Sequence, residues 1–221
     1  MKIITFVSGP IGNNTYIVYD ETGNCVNNTC IVIDAPFDCY KSIEKTLKEK
    51  NLTVSHILIT HTHWDHIGGL GELKRNTNAK VCVHKDDVFR LSQPTANLGG
   101  IEVPIDTVEP DIVLSGGEII ESGNMKFTVL HTPGHSPGCV CFLNVPDNKN
   151  SANVVFVGDT LFNMSIGRTD FPGSDYKTLI NSIQTKLMTL PDNCEVYCGH
   201  NEATTVGFER ENNPFLSVKV D

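Results

Sequence analysis

The sequence predicts an α/β fold in which sheets and helices pack as layers. Short apolar, β-branched runs recur along the whole chain, and an amphipathic helical pattern appears once in each half after a group of strands. No linker interrupts them, and 221 residues that are 39% hydrophobic and 19% charged are ordinary for one globular domain, the reading adopted for residues 1–221. Strand groups followed by helices suggest two packed sheets covered by helices on both outer faces. Periodicity alone leaves other layered α/β arrangements open.

The first strands are Ile3 to Val7, Thr15 to Tyr19 and Cys30 to Asp34, separated by turn clusters at Gly9-Pro10, Gly12-Asn13-Asn14 and Gly23-Asn24. Tyr40 to Lys50 places Ile43 and Leu47 four apart among Lys and Glu, which predicts a helix with one buried stripe. A strand starting at His56 and running to Thr60 follows, then a short helix near Gly69 to Arg75 and a strand at Lys80 to Val83. Ser92 to Pro110 reads as a polar loop long enough to be a lid or a variable insertion. Strands return at Lys126 to His131, Gly138 to Asn144 and Asn153 to Val157, with Pro146 to Ser151 as a hairpin tip. Tyr176 to Leu190 carries Leu179, Ile183, Leu187 and Leu190 at helical spacing behind a cap at Ser174 or Asp175, and Cys194 to Cys198 is the closing strand. The Asn-rich patches Asn24 to Asn28 and Asp147 to Asn153 read as solvated loops.

Composition excludes several classes of function. A formal net charge of −9 with no basic run argues against nucleic acid, whose affinity comes from clustered Lys and Arg. No apolar run is long enough to span a bilayer, and Met1 to Tyr19 lacks the charged head and apolar block of a secretory leader, so a cytoplasmic protein is expected. The eight cysteines then read as reduced thiols. Cys139 and Cys141 should share a strand face, the others (Cys25, Cys30, Cys39, Cys82, Cys194 and Cys198) are scattered, and Cys198 is the one near enough to a His to feel a metal. No pattern in the chain speaks to oligomeric state.

The chemistry concentrates where strands end. Thr60-His61-Thr62-His63-Trp64-Asp65-His66 follows an apolar strand and runs into Ile67-Gly68-Gly69. If the chain is still extended, His61 and His63 point the same way and give two imidazoles to one ion, while Asp65 and His66 in the following turn face a second. Such donors suit zinc, and also manganese or iron. Three His and one Asp could form a plain polar loop, but matching pieces recur: His135 in His131-Thr132-Pro133-Gly134-His135, Asp159 ending the strand Phe156-Val157-Gly158, and His200 after Tyr197-Cys198-Gly199. Of the remaining histidines, His56 and His84 read as solvated or packing residues, while the role of His131, four before His135, stays open, with buttressing of a ligand as one reading.

The H-x-H-x-D-H run, then H, then G-D, then G-H resembles the metallo-β-lactamase superfamily over nearly the whole chain. That resemblance implies a four-layered αββα sandwich and one or two zinc ions per chain, with iron or manganese as alternatives. His61, His63 and His135 would hold the first ion, Asp65, His66 and His200 the second, and Asp159 would bridge. A water ionised by the metal would attack a polarised carbonyl, with Asp65 and Asp159 orienting it.

Gly158 to Phe162 and Gly167-Arg168-Thr169-Asp170-Phe171-Pro172-Gly173 are similar to the glyoxalase II-like hydrolases of small acyl thioesters, and His200 to Leu216 resembles their short single-domain members. Arg168 falls where the full-length enzymes carry a cation for the thiol portion, with a structural salt bridge as the competing reading. Asp170 and Glu202 stand where those enzymes place tyrosines, and the chain runs only to Asp221 without their C-terminal helical region, so the hydrolytic chemistry is better supported than glutathione as the thiol. The alternative on the same scaffold is an iron-dependent persulfide dioxygenase. Those enzymes carry a Cys before the Gly-Arg pair, where Ile166 stands.

Overall fold

The computed structural model describes residues 1–21, 28–92, 94–98, 100–146 and 152–216. The chain begins with an antiparallel pair, β1 (Lys2–Ser8) and β2 (Asn13–Tyr19), joined by β3 (Thr29–Ile33). Helix α1 (Cys39–Glu49) crosses over to β4 (Thr53–Leu58), and the short helices α2 (Trp64–Ile67) and α3 (Leu70–Thr77) cross to β5 (Lys80–His84). A 3₁₀ turn, Lys85–Leu91, and the hairpin β6 (Thr95–Leu98) with β7 (Ile101–Pro104) precede β8 (Ile112–Leu114). Strands β3, β4, β5 and β8 are parallel, and the sheet order is β1-β2-β3-β4-β5-β8.

The second sheet is built from β9 (Ile119–Ser122), β10 (Met125–His131), β11 (Val140–Asn144) and β12 (Val154–Gly158), all antiparallel. A small hairpin of β13 (Leu161–Phe162) and β14 (Ser165–Ile166) leads to α4 (Tyr176–Ser182). Strand β15 (Glu195–Cys198) then lies parallel to β12, with β16 (Thr204–Thr205) at its edge and α5 (Val206–Asn212) after it.

Strand alternation makes the layers. Successive side chains point to opposite faces, so Ile31 and Ile33 of β3 enter a core with Tyr16, Phe127, Phe142 and Phe156, between the two sheets. Cys30 and Val32 face the other way and pack with Ile43 and Leu47 of α1 and Leu70 and Leu73 of α3. In β12, Phe156 joins the inter-sheet core while Val155 and Val157 meet Leu179 of α4 and Ile183 and Leu187 beyond it. The result is the expected αββα sandwich. Burial on both faces explains why these strands read as continuous apolar runs. Phe127, Phe142 and Phe156 are fully buried, and each such side chain contributes about 1.5–3 kcal/mol by leaving water.

Several boundaries differ from expectation. The stretch Ser92 to Pro110 is not wholly loop, because it contains the β6–β7 hairpin. His56 lies inside β4 rather than at its start, since the strand begins at Thr53. Asn13 and Asn14 belong to β2, not to a turn. The helix expected to reach Leu190 is α-helical only to Ser182 and continues as a π turn, Ile183–Leu187. Its cap is Asp175, whose Oδ1 accepts from the Thr178 N–H at 2.7 Å, whereas the Ser174 hydroxyl donates to the His135 carbonyl. The turn at Gly23-Asn24, residues 24–27 of one Asn-rich patch, Cys25, the hairpin tip at 147–151 and residues 217–221 lie outside the described residues.

Candidate metal centre

Strands β10, β12 and β15 run in the same direction, so their C-terminal ends share one edge of the sheet. His135, Asp159 and His200 follow those three ends, and His61 to His66 follow β4 in the facing sheet. Rigid strands thereby deliver seven side chains, from four loops, to one place.

For His61, His66 and His135, a hydrogen bond on the far side of the ring decides which nitrogen faces inward. The His135 Nδ1–H donates to the Arg168 carbonyl at 2.8 Å, which turns Nε2 toward the site. The Thr60 hydroxyl is committed as donor to Asp34 Oδ2, so it accepts from His61 Nδ1–H at 3.2 Å and leaves the His61 Nε2 lone pair inward. His135 Nε2 then lies 3.2 Å from His61 Nε2 and 2.9 Å from His63 Nδ1. Burial first, and then neighbouring imidazoles, lower the proton affinity of His61 and His63, the latter to about 4, with Arg90 adding to the effect at His63. Burial also lowers His135, against the pull of Asp159. These three rings are therefore neutral donors at physiological pH.

The second group is richer in negative charge. Asp65 Oδ2 lies 3.3 Å from His66 Nε2 and 3.2 Å from His200 Nε2. Asp159 reaches both groups: its Oδ1 is 3.3 Å from His66 Nε2, and its Oδ2 is 3.6 Å from both His135 Nε2 and His200 Nε2. Burial opposes ionisation of Asp65 and Asp159, yet their histidine neighbours outweigh it and hold both carboxyls below the usual range. For His66 burial acts downward, but Asp159, Asp65 and Asp34 prevail and raise it well above an ordinary imidazole. The cluster is built to hold positive charge.

Its geometry fits metal ions. An ion with four ligands at about 2.05 Å has donor–donor edges of roughly 3.3 Å, close to the 2.9–3.6 Å separations given above. The sets His61, His63, His135 and Asp65, His66, His200 each bring donor atoms within 4.8 Å of one another, as do His61, His66 and Asp159. His66 Nε2 and Asp159 Oδ1 are buried without a hydrogen-bond partner, which is costly unless something else satisfies them. Gly199 keeps this cradle open, because a Cβ there would meet His66 Cε1 at 2.7 Å.

Three supporting residues were not anticipated from sequence. Asp34 accepts from the Thr60 N–H, the Thr60 hydroxyl and the His66 ring, each at 2.8 Å, and so aims His66 Nε2 inward. Asn13 Nδ2 donates to Asp65 Oδ2 at 2.7 Å. Asp87, fully buried in the 3₁₀ turn, accepts from the Thr62 N–H, the Ser136 hydroxyl and the Gly138 N–H at 3.0, 2.8 and 2.8 Å. Thr62 stands between His61 and His63, and Ser136 follows His135, so one carboxylate clasps both loops of the first donor set.

Arg168 is exposed, pairs in bidentate fashion with Asp170 at 2.9 and 2.7 Å, and lies over the Phe171 ring at 4.3 Å. Phe171 in turn sits edge-on to His63. His131 donates Nε2–H to the Pro137 carbonyl and stacks on His84 at 4.0 Å, 19° from parallel. With Asp86 these two form another close donor group, but stacked rings direct their lone pairs side by side rather than at one point. His56 is half-buried and apart from the cluster. Cys198 is buried, its thiol pushed up to about 12 by burial, and it contributes its carbonyl to Asn14 and Tyr16 rather than its sulfur to the donor sets. All seven described cysteines are free and buried, as packing residues are.

A profile of the Metallo-beta-lactamase superfamily matches residues 8–200. The chain is 38% identical over 214 residues to "Probable metallo-hydrolase YqgX" of Bacillus subtilis, covering 95% of this chain and 94% of the relative. It is 34% identical to "Hydroxyacylglutathione hydrolase GloC" of Haemophilus influenzae, over 93% of both chains. Among solved structures, BLEG-1 B3 metallo-beta-lactamase superposes with a TM-score of 0.86 at 35% identity, covering 98% of this chain and 100% of the other. ETHE1 from Myxococcus xanthus gives 0.77 at 27%, covering 97% and 84%. TTHA1623, in a di-iron-bound form, gives 0.76 at 31%, covering 96% and 100%.

Proposed function

This chain belongs to the metallo-β-lactamase superfamily, and from that premise we propose that the metal-dependent hydrolase cleaves small acyl thioesters such as hydroxyacyl-glutathione. The observation that carries the metal chemistry is the pair of donor sets meeting at Asp159. His61, His63 and His135 would hold one ion, Asp65, His66 and His200 a second, with Asp159 between them. The likeness to GloC over almost the full chain, with the Gly167 to Phe171 segment beside His135, supports the thioester as substrate.

Bound divalent ions would supply Lewis acidity, polarising a carbonyl and bringing the ionisation of water near neutral pH. The chain supplies the rest. Asp65 and Asp159, held ionised, orient the attacking water and take up positive charge, and Asn13 fixes the Asp65 carboxylate. The Phe171 ring packs edge-on against His63, its centroid 5.2 Å away, and steadies that imidazole. Hydrolysis breaks the acyl C–S bond. The water oxygen ends on the acyl carbon and a proton on the departing sulfur. Arg168 is assigned to the thiol portion, and its pair with Asp170 has to open for that contact.

A second reading, an iron-dependent persulfide dioxygenase, rests on the resemblance of Gly167 to Phe171 to that group of enzymes. Ile166 before Gly167 and the second donor set weigh against it. Thiol release from a lactoyl thioester under nitrogen, paired with oxygen uptake on glutathione persulfide, separates the two for zinc-loaded and iron-loaded protein. Thiol release with little oxygen uptake is expected. Iron-dependent oxygen uptake with no thiol release under either loading would replace the hydrolase reading.

A further inference from the structure

Beside the donor sets lies a cavity of about 380 Å³ whose wall includes His63, Trp64, Phe89, Arg90 and Pro94. His63 belongs both to this wall and to the first donor set, so the cavity adjoins that set. The lining includes neither Arg168 nor Phe171, which makes this a different arm of the site from the one facing the thiol.

Arg90 is the cation on the wall. It gives Nη1 to Asp87 at 2.9 Å, and that carboxylate is shared with three other donors, so Arg90 is held through one nitrogen only. Its guanidinium lies over the Phe89 ring at 4.5 Å, which fixes its plane. Among the described residues, its hydrogen bonding is confined to Asp87. Donors remain for a second carboxylate, whereas the fork of Arg168 is already filled by Asp170.

We propose that this cavity binds the acyl arm of the substrate and that Arg90 selects acyl groups ending in a carboxylate, an inference that rests on the thioester reading. Trp64 and Phe89 flank the methylenes, and the guanidinium meets the terminal charge.

Pentanoyl and glutaryl thioesters of N-acetylcysteamine differ only in a terminal methyl against a carboxylate. The wild type should prefer the glutaryl ester in KM, and R90Q should lose about tenfold of that preference, the size of one charge-assisted contact. R90K, which keeps the charge, should retain most of it. K85Q, an exposed neighbour on the same turn, should leave the preference intact. Trp64, the single tryptophan of the chain, gives a readout independent of turnover: titration with glutarate should change its fluorescence, with Kd about tenfold weaker in R90Q. An unchanged KM preference and an unchanged glutarate Kd in R90Q would overturn the assignment. If the wild type cleaves no thioester, the reaction reading fails, and the glutarate titration alone decides whether Arg90 is a carboxylate site.

Discussion

Asp159 matters by position: its Oδ2 is equally far, 3.6 Å, from a histidine of each donor set. The other side chains acquire direction from residues behind them, and Asp34 is the clearest case. Asp34→Ala would leave the Thr60 N–H and the His66 ring without their acceptor, at about 1–3 kcal/mol for each buried orphan. Metal affinity at the set containing His66 should fall about 10–100-fold and that of the other set less, as read from two-step chelator competition on the variant. Two wild-type affinities would contradict the role given to Asp34. The seven residues that the structure gathers into donor sets stand out in the sequence because His61 to His66, Asp159 and His200 closely follow apolar strands and His135 sits in a Pro-Gly turn after one. Asp34 and Asn13 do not, since their partners lie 26 to 52 positions away, Asn13 reads as a turn residue, and Asp34 reads as no more than the end of a strand.

Among the elements, the 3₁₀ turn after β5 does the most to shape the site, through Asp87. Asp87→Ala removes the acceptor of two buried backbone N–H groups and a hydroxyl in loops 61–66 and 131–138. The expected outcome is a loss of several kcal/mol, about 1–3 per orphaned group, with weakened metal binding at His61, His63 and His135. Thermal unfolding of the chelated and metal-loaded variant checks both. Wild-type stability in both states would show the clasp to be idle. Nothing local marks Asp87, because an acid in a short polar turn is ordinarily solvated. The long strands and α1 were legible from apolar periodicity, whereas β8, β9 and β16 are three, four and two residues long and too short to show a period. Gly99-Gly100 is a hairpin signal inside the supposed loop, obscured by the flanking Pro94 and Pro104. The π turn has a physical reason as well. Leu179, Ile183 and Leu187 recur every fourth residue, which drifts about 40° per step around an α-helix, and a wider turn keeps all three on the buried face.

At the scale of the whole molecule, the sandwich exists to bring strand ends together. The two sheets meet across Tyr16, Phe142 and Phe156, and the donor loops emerge from both of them, so neither sheet alone holds a complete site. The layered class was legible from strand groups and two amphipathic helices, and the αββα arrangement from the resemblance. The register that aligns β12 with β15 depends on pairing across some forty residues and could not be read locally. Two donor sets joined at Asp159 are built to hold the ions. Anomalous diffraction at the metal edge from crystals of metal-loaded protein tests this most directly. Peaks are expected within ~2.3 Å of His61, His63 and His135 donor atoms and, where a second ion is bound, of Asp65, His66 and His200, with Asp159 in reach of both. A peak confined to His84, Asp86 and His131, or none at the seven residues, would contradict it.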